Sequence, residues 1–473
     1  MKFTLFLYLI LFPFIGLANS IIIKDLDLDL SNFSYTNYEK IYNAHIKAIN
    51  EKKHIDYDGI DTIKLNIPIN ALPIPLPNII DFKNVVFVVN NTKKDFTLFV
   101  HSNKLTNIRI DKQIIDTNHI SIEKFKNKKV LLVIKDRNAW IKDRVGYNKP
   151  HIREDILLIN NGLSINTTIR PYNNIFSDPI FSYCDVTYDS IICKNLIFHR
   201  TKDSTYKTFC LKCQNSNNIN LTNIHIVTPK SDLYGDAILT FSNCSNINLS
   251  DIIIDGTYSQ KDKYGYGISM NNVFNCSFNN ILGNGEWGIF GTNNVNTVFI
   301  KNSNINRFDI HCYGKDVVCS NTLFHTLYNQ FSSFYGKLVY EKCLFNQFIP
   351  VTIDGSYSAY TSFNVIFNDC EIKVDAKRPF LFNMTYSNFL IDSIRPELSK
   401  FEYPNLFIRN LDIISLSDTN PYYIFHTYKN NMVIDLDNPL NIEMHDLNFN
   451  CDKLILSNSI LKFKHNSLNY IFP

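Results

Sequence analysis

A five-residue phrase recurs along the middle of this chain, and its spacing limits the possible folds more than any other feature. The phrases are Gly235-Asp-Ala-Ile-Leu239, Gly265-Tyr-Gly-Ile-Ser269, Glu286-Trp-Gly-Ile-Phe290, Arg307-Phe-Asp-Ile-His311 and Tyr328-Asn-Gln-Phe-Ser332. The fourth residues of the last four, Ile268, Ile289, Ile310 and Phe331, stand 21 positions apart. A fixed period of this size marks a solenoid whose repeats stack on their neighbours. Because the units are short strands, the spacing predicts an all-β, single-stranded, right-handed parallel β-helix. A second marker agrees: Asn195-Leu196, Asn223-Ile224, Asp251-Ile252, Asn280-Ile281, Asn304-Ile305 and Thr322-Leu323 each set a small polar residue before an aliphatic one, at separations of 18 to 29. Such residues suit the corners of coils, where stacked Asn side chains can hydrogen-bond as ladders.

The chain opens with Met1-Lys2, an apolar run from Phe3 to Leu17, and Ala18-Asn19-Ser20. One positive charge, a short hydrophobic core and small residues at its end predict a secretory signal peptide over residues 1–20. No later segment is long enough to cross a bilayer, so a secreted or periplasmic protein is expected. Without the leader's lysine the formal charge falls from +3 to +2. A balance so near neutral argues against nucleic acid as partner, which would call for a concentrated basic face.

The eleven cysteines all lie at or beyond Cys184, and Cys244, Cys276, Cys319, Cys343 and Cys370 fall in similar parts of successive coils. An odd count that follows the repeat points to free, buried thiols stacked in the core rather than a disulfide framework. Cys312 and Cys319 are the pair to examine for a bridge. The Cys210-Leu-Lys-Cys213 spacing has no second pair at zinc-ribbon distance, so no metal is predicted.

The segment from Ser31 to Lys53, with Tyr38, Ile41, Ile46 and Ile49 around Ala44 and Ala48, reads as a helix that caps the open end of the solenoid. Prolines interrupt the apolar pattern at residues 65–77, giving entry strands within a cap region of residues 21–103. Val85 to Val89 and Phe96 to Val100 read as the first regular strands. Residues 104–181 are less periodic and read as irregular wide coils, residues 182–375 as regular coils, and residues 376–473 as further coils and closure.

These features resemble the pectate-lyase-like right-handed β-helix superfamily. Gly285-Glu-Trp-Gly288 followed by Arg307-Phe-Asp-Ile-His311, with Asp143 to Leu158 upstream, is similar to a group of β-helix proteins from phage tails and gut bacteria. The resemblance covers roughly residues 35–375. It implies a protein that cleaves or binds acidic or neutral polysaccharides, or one that accompanies exopolysaccharide biosynthesis. The calcium-binding Asp cluster of pectate lyases has no counterpart here, and no cofactor is implied. Oligomeric state stays open, a trimer among the options.

The local chemistry follows from strand alternation, since residues two apart share a face. With Phe308 and Ile310 inward, Arg307, Asp309 and His311 face outward, and a 21-residue register sets Glu286 beside Arg307 and Gly288 beside Asp309. Gly267 and Ser269 come from the coil before, flooring a trough. Tyr264 and Tyr313 are the aromatic faces expected to stack on sugar rings, whereas Tyr266 shares the inward phase of Trp287 and Phe308 and reads as core filling. Asp236 also shares that phase, as a corner residue or a buried acid beside the ligand.

Each member has a plain alternative: a surface ion pair for Glu286 and Arg307, a turn-capping pair for Asp309 and His311, close packing for Gly267 and Gly288. Two functional classes remain open. A glycosidase would use Glu286 and Asp309 as acid and base, while a lyase would use His311 or Arg307 near a uronic acid. A non-catalytic glycan-binding protein, associated with export or serving as a surface adhesin, would hold a chain in the same groove.

Overall fold

A computed structural model describes residues 20–385 apart from 111–119, 137–153, 170–177, 230–236, 258, 261–262, 286, 326, 333, 355–361 and 375–379, and beyond 385 the strands between 405 and 471. The expected signal peptide lies almost wholly outside the described residues. What is described is nearly all extended chain, with a single α-helix.

From Ile191 onward the strands of the solenoid pair in parallel, coil upon coil, and only the short hairpin of Ser259–Gln260 with Lys263–Tyr264 is antiparallel among the described residues. Ile191, Ile219, Ile247, Cys276, Val298, Val317, Leu338, Val365 and Leu406 form one column in Cα register, which makes the successive coils 28, 28, 29, 22, 19, 21, 27 and 41 residues long. The strands Asn441–Asn450 and Asn469–Ile471 continue the parallel stacking. One continuous apolar core runs through the stack, from Ile23 to Ile413.

The corners explain the Asn-rich composition. Asn195, Asn223, Asp251 and Asn280 all adopt left-handed backbone, with φ between 55° and 58°. Asn and Asp tolerate that region because their short polar side chains bond locally. Here they also bond vertically: Asn223 Nδ2 donates to Asn195 Oδ1 at 2.7 Å and Asn280 Nδ2 to Asp251 Oδ1 at 2.7 Å. A second left-handed column, Asn215, Asn243 and Asn272, is laddered at 2.8 Å per step. The next corner differs from the sequence reading. Asn304 pairs with Leu282 inside a strand, and the corner residue is Asn302, at φ 51°, bonded to Asn279.

Helix α1 spans Tyr35–Glu51, with Ser34 Oγ capping the Asn37 amide at 3.2 Å. Its buried stripe is Tyr38, Ile41, Ala44, His45 and Ala48, whereas Ile46 and Ile49, expected on that stripe, are exposed. The stripe packs on the strands His54–Asp56, Thr62–Asn66 and Ile74–Pro75 and joins the solenoid core.

Residues 104–181 are not wide coils. Thr106–Ile108, Lys129–Asp136, Glu154–Asn160, Leu163–Ser164 and Pro179–Asp185 form a separate antiparallel sheet inserted between two coils. Its central strand alternates between two apolar layers: Val130, Leu132 and Ile134 in one, Leu131 in the other with Ile156, Leu158 and Cys184. A strand buried on both faces loses the period-two pattern, which is why the stretch looked irregular. One layer packs on Phe274 of the solenoid, and Asn272 Nδ2 bonds the Asp155 carbonyl at 3.4 Å.

The nine cysteines whose side chains are described are all buried and unbridged, Cys319 among them. Cys312 and Cys451 fall outside that set. Cys210 and Cys213 face the core, and burial raises both thiols well above their ordinary value.

Candidate functional site

Three successive strands, Tyr266–Gly285, Phe290–Lys301 and Phe308–Ser320, together with Tyr328–Phe331, build the polar centre. On their outward face Ser269 stands beside Gly291, Gly291 beside Asp309, and Asp309 beside Gln330. Phe308 and Ile310 point into the core as alternation requires, both fully buried. The partner of Asp309 is therefore Gly291 and not Gly288, because the local steps from Ile268 to Phe290 to Phe308 are 22 and 18 residues rather than two of 21.

Asp309 faces away from the core yet is fully buried, and Arg307 is 2% exposed. Arg307 Nε donates to Asp309 Oδ1 at 2.6 Å, and its Nη2 donates to Gln330 Oε1 at 2.8 Å. The guanidinium is sandwiched between the Trp287 ring at 4.0 Å and the Tyr328 ring at 4.2 Å. Such stacking suits a planar, weakly hydrated cation. On the other carboxylate oxygen, the Tyr266 hydroxyl donates to Asp309 Oδ2 at 2.5 Å, and His311 Nε2 lies 3.6 Å from the same atom and 3.1 Å from the Tyr266 hydroxyl.

Burial works against both charges of the pair, and the pairing outweighs it. The Asp309 carboxyl is disfavoured by burial, but Arg307 and His311 more than offset this and hold it below the usual carboxylate range. Arg307 is disfavoured likewise, and Asp309 with the neighbouring Tyr266 and Tyr328 lifts it above its ordinary value. Burial first, and the Asp309 charge second, push the Tyr266 phenol well up. The centre is thus an ionised carboxylate, a fixed cation and a neutral phenol. A phenol has one proton. If Tyr266 gives it to Asp309, the contact with His311 requires a proton on Nε2, and in a neutral imidazole the basic nitrogen is then Nδ1.

The expected site residues divide accordingly. Arg307, Asp309 and His311 come together; of the three, His311 is the least covered, its side chain 19% exposed. Gly288 belongs to the centre, for a different reason than a glycan trough: a Cβ there would stand 2.9 Å from the Tyr266 ring, and one on Gly291 2.7 Å. These two glycines make the seat of Tyr266, which is therefore not core filling. Gly267 faces inward, against Ile254 and Ile289. Tyr313 is 2% exposed and takes a left-handed corner, φ 54°, in the column of Asn294, so it offers no outward face to a sugar ring. Ser269 is half-buried on the outward face. Glu286, Asp236 and the side chain of Tyr264 lie outside the described residues.

Sequence reasoning missed Trp287 and Gln330 and set Tyr266 in the core. Their signal was present in the recurring phrases themselves, which place an aromatic or polar residue at equivalent points of successive coils. Among the described residues no group of three His, Cys, Asp or Glu side chains is arranged to hold a metal ion.

No protein-family model matches the chain, and no curated protein matches it. Among solved structures it is similar to the tailspike protein gp49 from Pseudomonas phage LKA1, at 10% identity and a TM-score of 0.54 over 93% of this chain and 81% of that one. It is also similar to the Gp54 tailspike of Acinetobacter baumannii bacteriophage AP22, in complex with A. baumannii capsular saccharide, at 12% identity and a TM-score of 0.52 over 94% of this chain and 73% of that one. Identities this low speak to architecture alone. In architecture, the chain is a parallel β-helix protein, as those tailspikes are.

Proposed function

We propose that this is an exported polysaccharide-acting β-helix protein that cleaves a glycan held on the outward face of its solenoid. The observation that carries the reading is the Arg307–Asp309–Tyr266–His311 constellation, a buried ion pair fixing a phenol and a partly exposed imidazole at 3.1 Å from each other. Locking such a pair in place costs folding energy that a merely structural face does not need to spend. A fold shared with a tailspike in complex with a capsular saccharide supports the substrate class.

In this reading Asp309 is a positioning residue. Enclosed, ionised and bonded through both oxygens, it is poorly suited to donate a proton, so the glycosidase pairing with Glu286 loses one of its two members. A lyase-type step suits the remaining groups: His311 Nδ1 takes the proton from the carbon beside a uronic acid carboxylate, the C–H electron pair becomes a C=C bond as the glycosidic C–O bond on the next carbon breaks, and the departing oxygen is protonated by solvent, while the Tyr266 hydroxyl holds the imidazole through Nε2. The right-handed sense of the solenoid, the capping role of α1 and removal of residues 1–20 on export belong to the same proposal. The capping role is supported by the helix packing on the first strands, and the removal of residues 1–20 by their leader-like composition.

A glycan array, followed by absorbance and reducing-end assays on whatever binds, tests it. A lyase yields unsaturated ends that absorb in the near ultraviolet. His311→Gln should keep binding and lower turnover by about 10²-fold or more. Binding with no new ends from the wild type would move the protein to the non-catalytic class.

A further inference from the structure

Next to the centre lies a strip of polar side chains for which no side-chain hydrogen bond is found among the described residues. On the strands Thr208–Val227, Ala237–Thr257, Tyr266–Gly285 and Phe290–Lys301, the outward residues include Gln214, Thr240, Ser242, Ser269, Asn271 and Asn293. They stand in two adjoining columns: Thr240 beside Ser269 beside Gly291, and Gln214 beside Ser242 beside Asn271 beside Asn293. All are half-buried. Lys212, beside Thr240, is the one charged side chain of the strip, at the end far from Asp309.

Elsewhere on the solenoid, outward polar groups satisfy one another from coil to coil. Asn248 Nδ2 bonds Asn220 Oδ1 at 3.1 Å and Ser250 Oγ bonds Thr222 Oγ1 at 3.2 Å. None of the six side chains of the strip takes part in such a bond among the described residues, and Asn293 Oδ1 is buried without a partner. The inserted sheet abuts the strip along one side, where the Glu154 amide meets Asn294 and Asn272 meets the Asp155 carbonyl. A polar floor, uncharged apart from Lys212 at its far end, with a wall beside it and opening onto the His311–Tyr266 pair, offers hydrogen bonds that no described residue takes up.

We infer that this strip is an extended binding track for an uncharged, hydroxyl-rich stretch of chain lying along the solenoid axis and leading into the centre. With strands about 4.8 Å apart, the four from Gln214 to Asn293 span about 14 Å, and the strand of Asp309 brings the track to about 19 Å. The inference rests on the reading of the ligand as a glycan and adds its course and the neutral character of the stretch that leads up to the uronic acid unit at the centre. A chain crossing the coils at Asp309 alone would meet none of these groups.

The test uses the full-length exported protein on an array carrying each glycan type both as a disaccharide and as an octasaccharide. The wild type should bind some octasaccharide more tightly than its disaccharide by about tenfold or more, as expected from two or more added hydrogen bonds. The triple variant Thr240→Val, Ser242→Ala, Asn271→Ala should lose most of that gain while keeping its disaccharide binding and its melting temperature. His311→Gln should keep the gain. Equal binding of short and long members by the wild type, or an undiminished gain in the triple variant, overturns the track and leaves the glycan reading intact. Binding to no member of the array overturns both.

Discussion

Replacing Asp309 by Asn removes one charge from a pair that is buried on both sides. Asn keeps the shape and can still accept a hydrogen bond, but Arg307, 2% exposed and held between two rings, is left as an uncompensated cation. Neither Trp287 nor Tyr328 offers an acceptor equal to a carboxylate 2.6 Å away. Breaking one side of a buried pair costs about 3–5 kcal/mol. For 473 residues, an unfolding entropy of about 2.1 cal/mol/K per residue gives about 1 kcal/mol/K, so the melting temperature should fall by about 3–5 °C if the chain melts as a unit. Urea melts, read by circular dichroism, resolve the same loss as a lower midpoint at constant slope. The pH dependence adds a second signature. The folded-state pKa of Asp309 is depressed, so its contribution is present above the unfolded value of about 3.9 and is lost as pH falls through the lower, folded value. The gap between wild type and variant should therefore narrow below about pH 4. Adding Arg307→Met should recover much of the stability, since replacing both members of a buried pair is often nearly neutral. An Asp309→Asn protein that melts with the wild type at neutral pH would refute the account of a closed ion pair.

Gly291→Ala would place a Cβ 2.7 Å from the Tyr266 ring; if the phenol serves the reaction, displacing it should cut turnover by about 10²-fold with a smaller effect on melting. Asn243→Ala breaks the ladder to Asn215 and Asn272, stranding amides at about 1–3 kcal/mol and leaving Ala in left-handed backbone, so the urea midpoint should drop. Asn243→Gly should recover the backbone share only. Thiol titration with a chromogenic disulfide should be slow on the native protein, where burial pushes Cys184 and Cys244 up to about 12, and should find most of the eleven cysteines free once the chain is denatured without reductant. A count near zero would show bridges instead.

The stacking was legible because it is written in the apolar positions: Ile268, Ile310 and Phe331 all face the core. The register was not, because the coils change length from 29 to 22 to 19 residues just where the site forms. An error of one residue in a strand exchanges its faces. That is how Tyr266 was set among core residues, and Gly267 outside. Arg307, Asp309 and His311 were found together because they share one strand and need only alternation. Their burial was not, since it depends on Tyr266, Trp287, Tyr328 and Gln330 arriving from three other segments. The inserted sheet was hidden by its own burial on both faces, which erases the alternation that reveals an ordinary antiparallel strand.

The insertion also decides the order in which the solenoid can assemble. Phe87 pairs with Phe198 and Phe99 with Leu211, so the strands around Phe87 and Phe99 wait more than 100 residues for the coil that covers them. During synthesis at about 5–20 residues per second, that leaves an open parallel edge exposed for several seconds or longer. The interval is shortened in space, if not in time, by the insert. Its layers Val130–Ile134 and Ile156–Ile159 carry their own apolar contacts, and at its base Asn103 Nδ2 meets Asp189 Oδ2 at 3.2 Å. A sheet that collapses locally brings its two ends together before the next coil emerges, removing most of the loop-closure cost of so long a detour. The nascent chain is thereby handed a nearly closed hairpin on which to lay Ile191–Arg200, and every later coil copies the edge that this first junction presents.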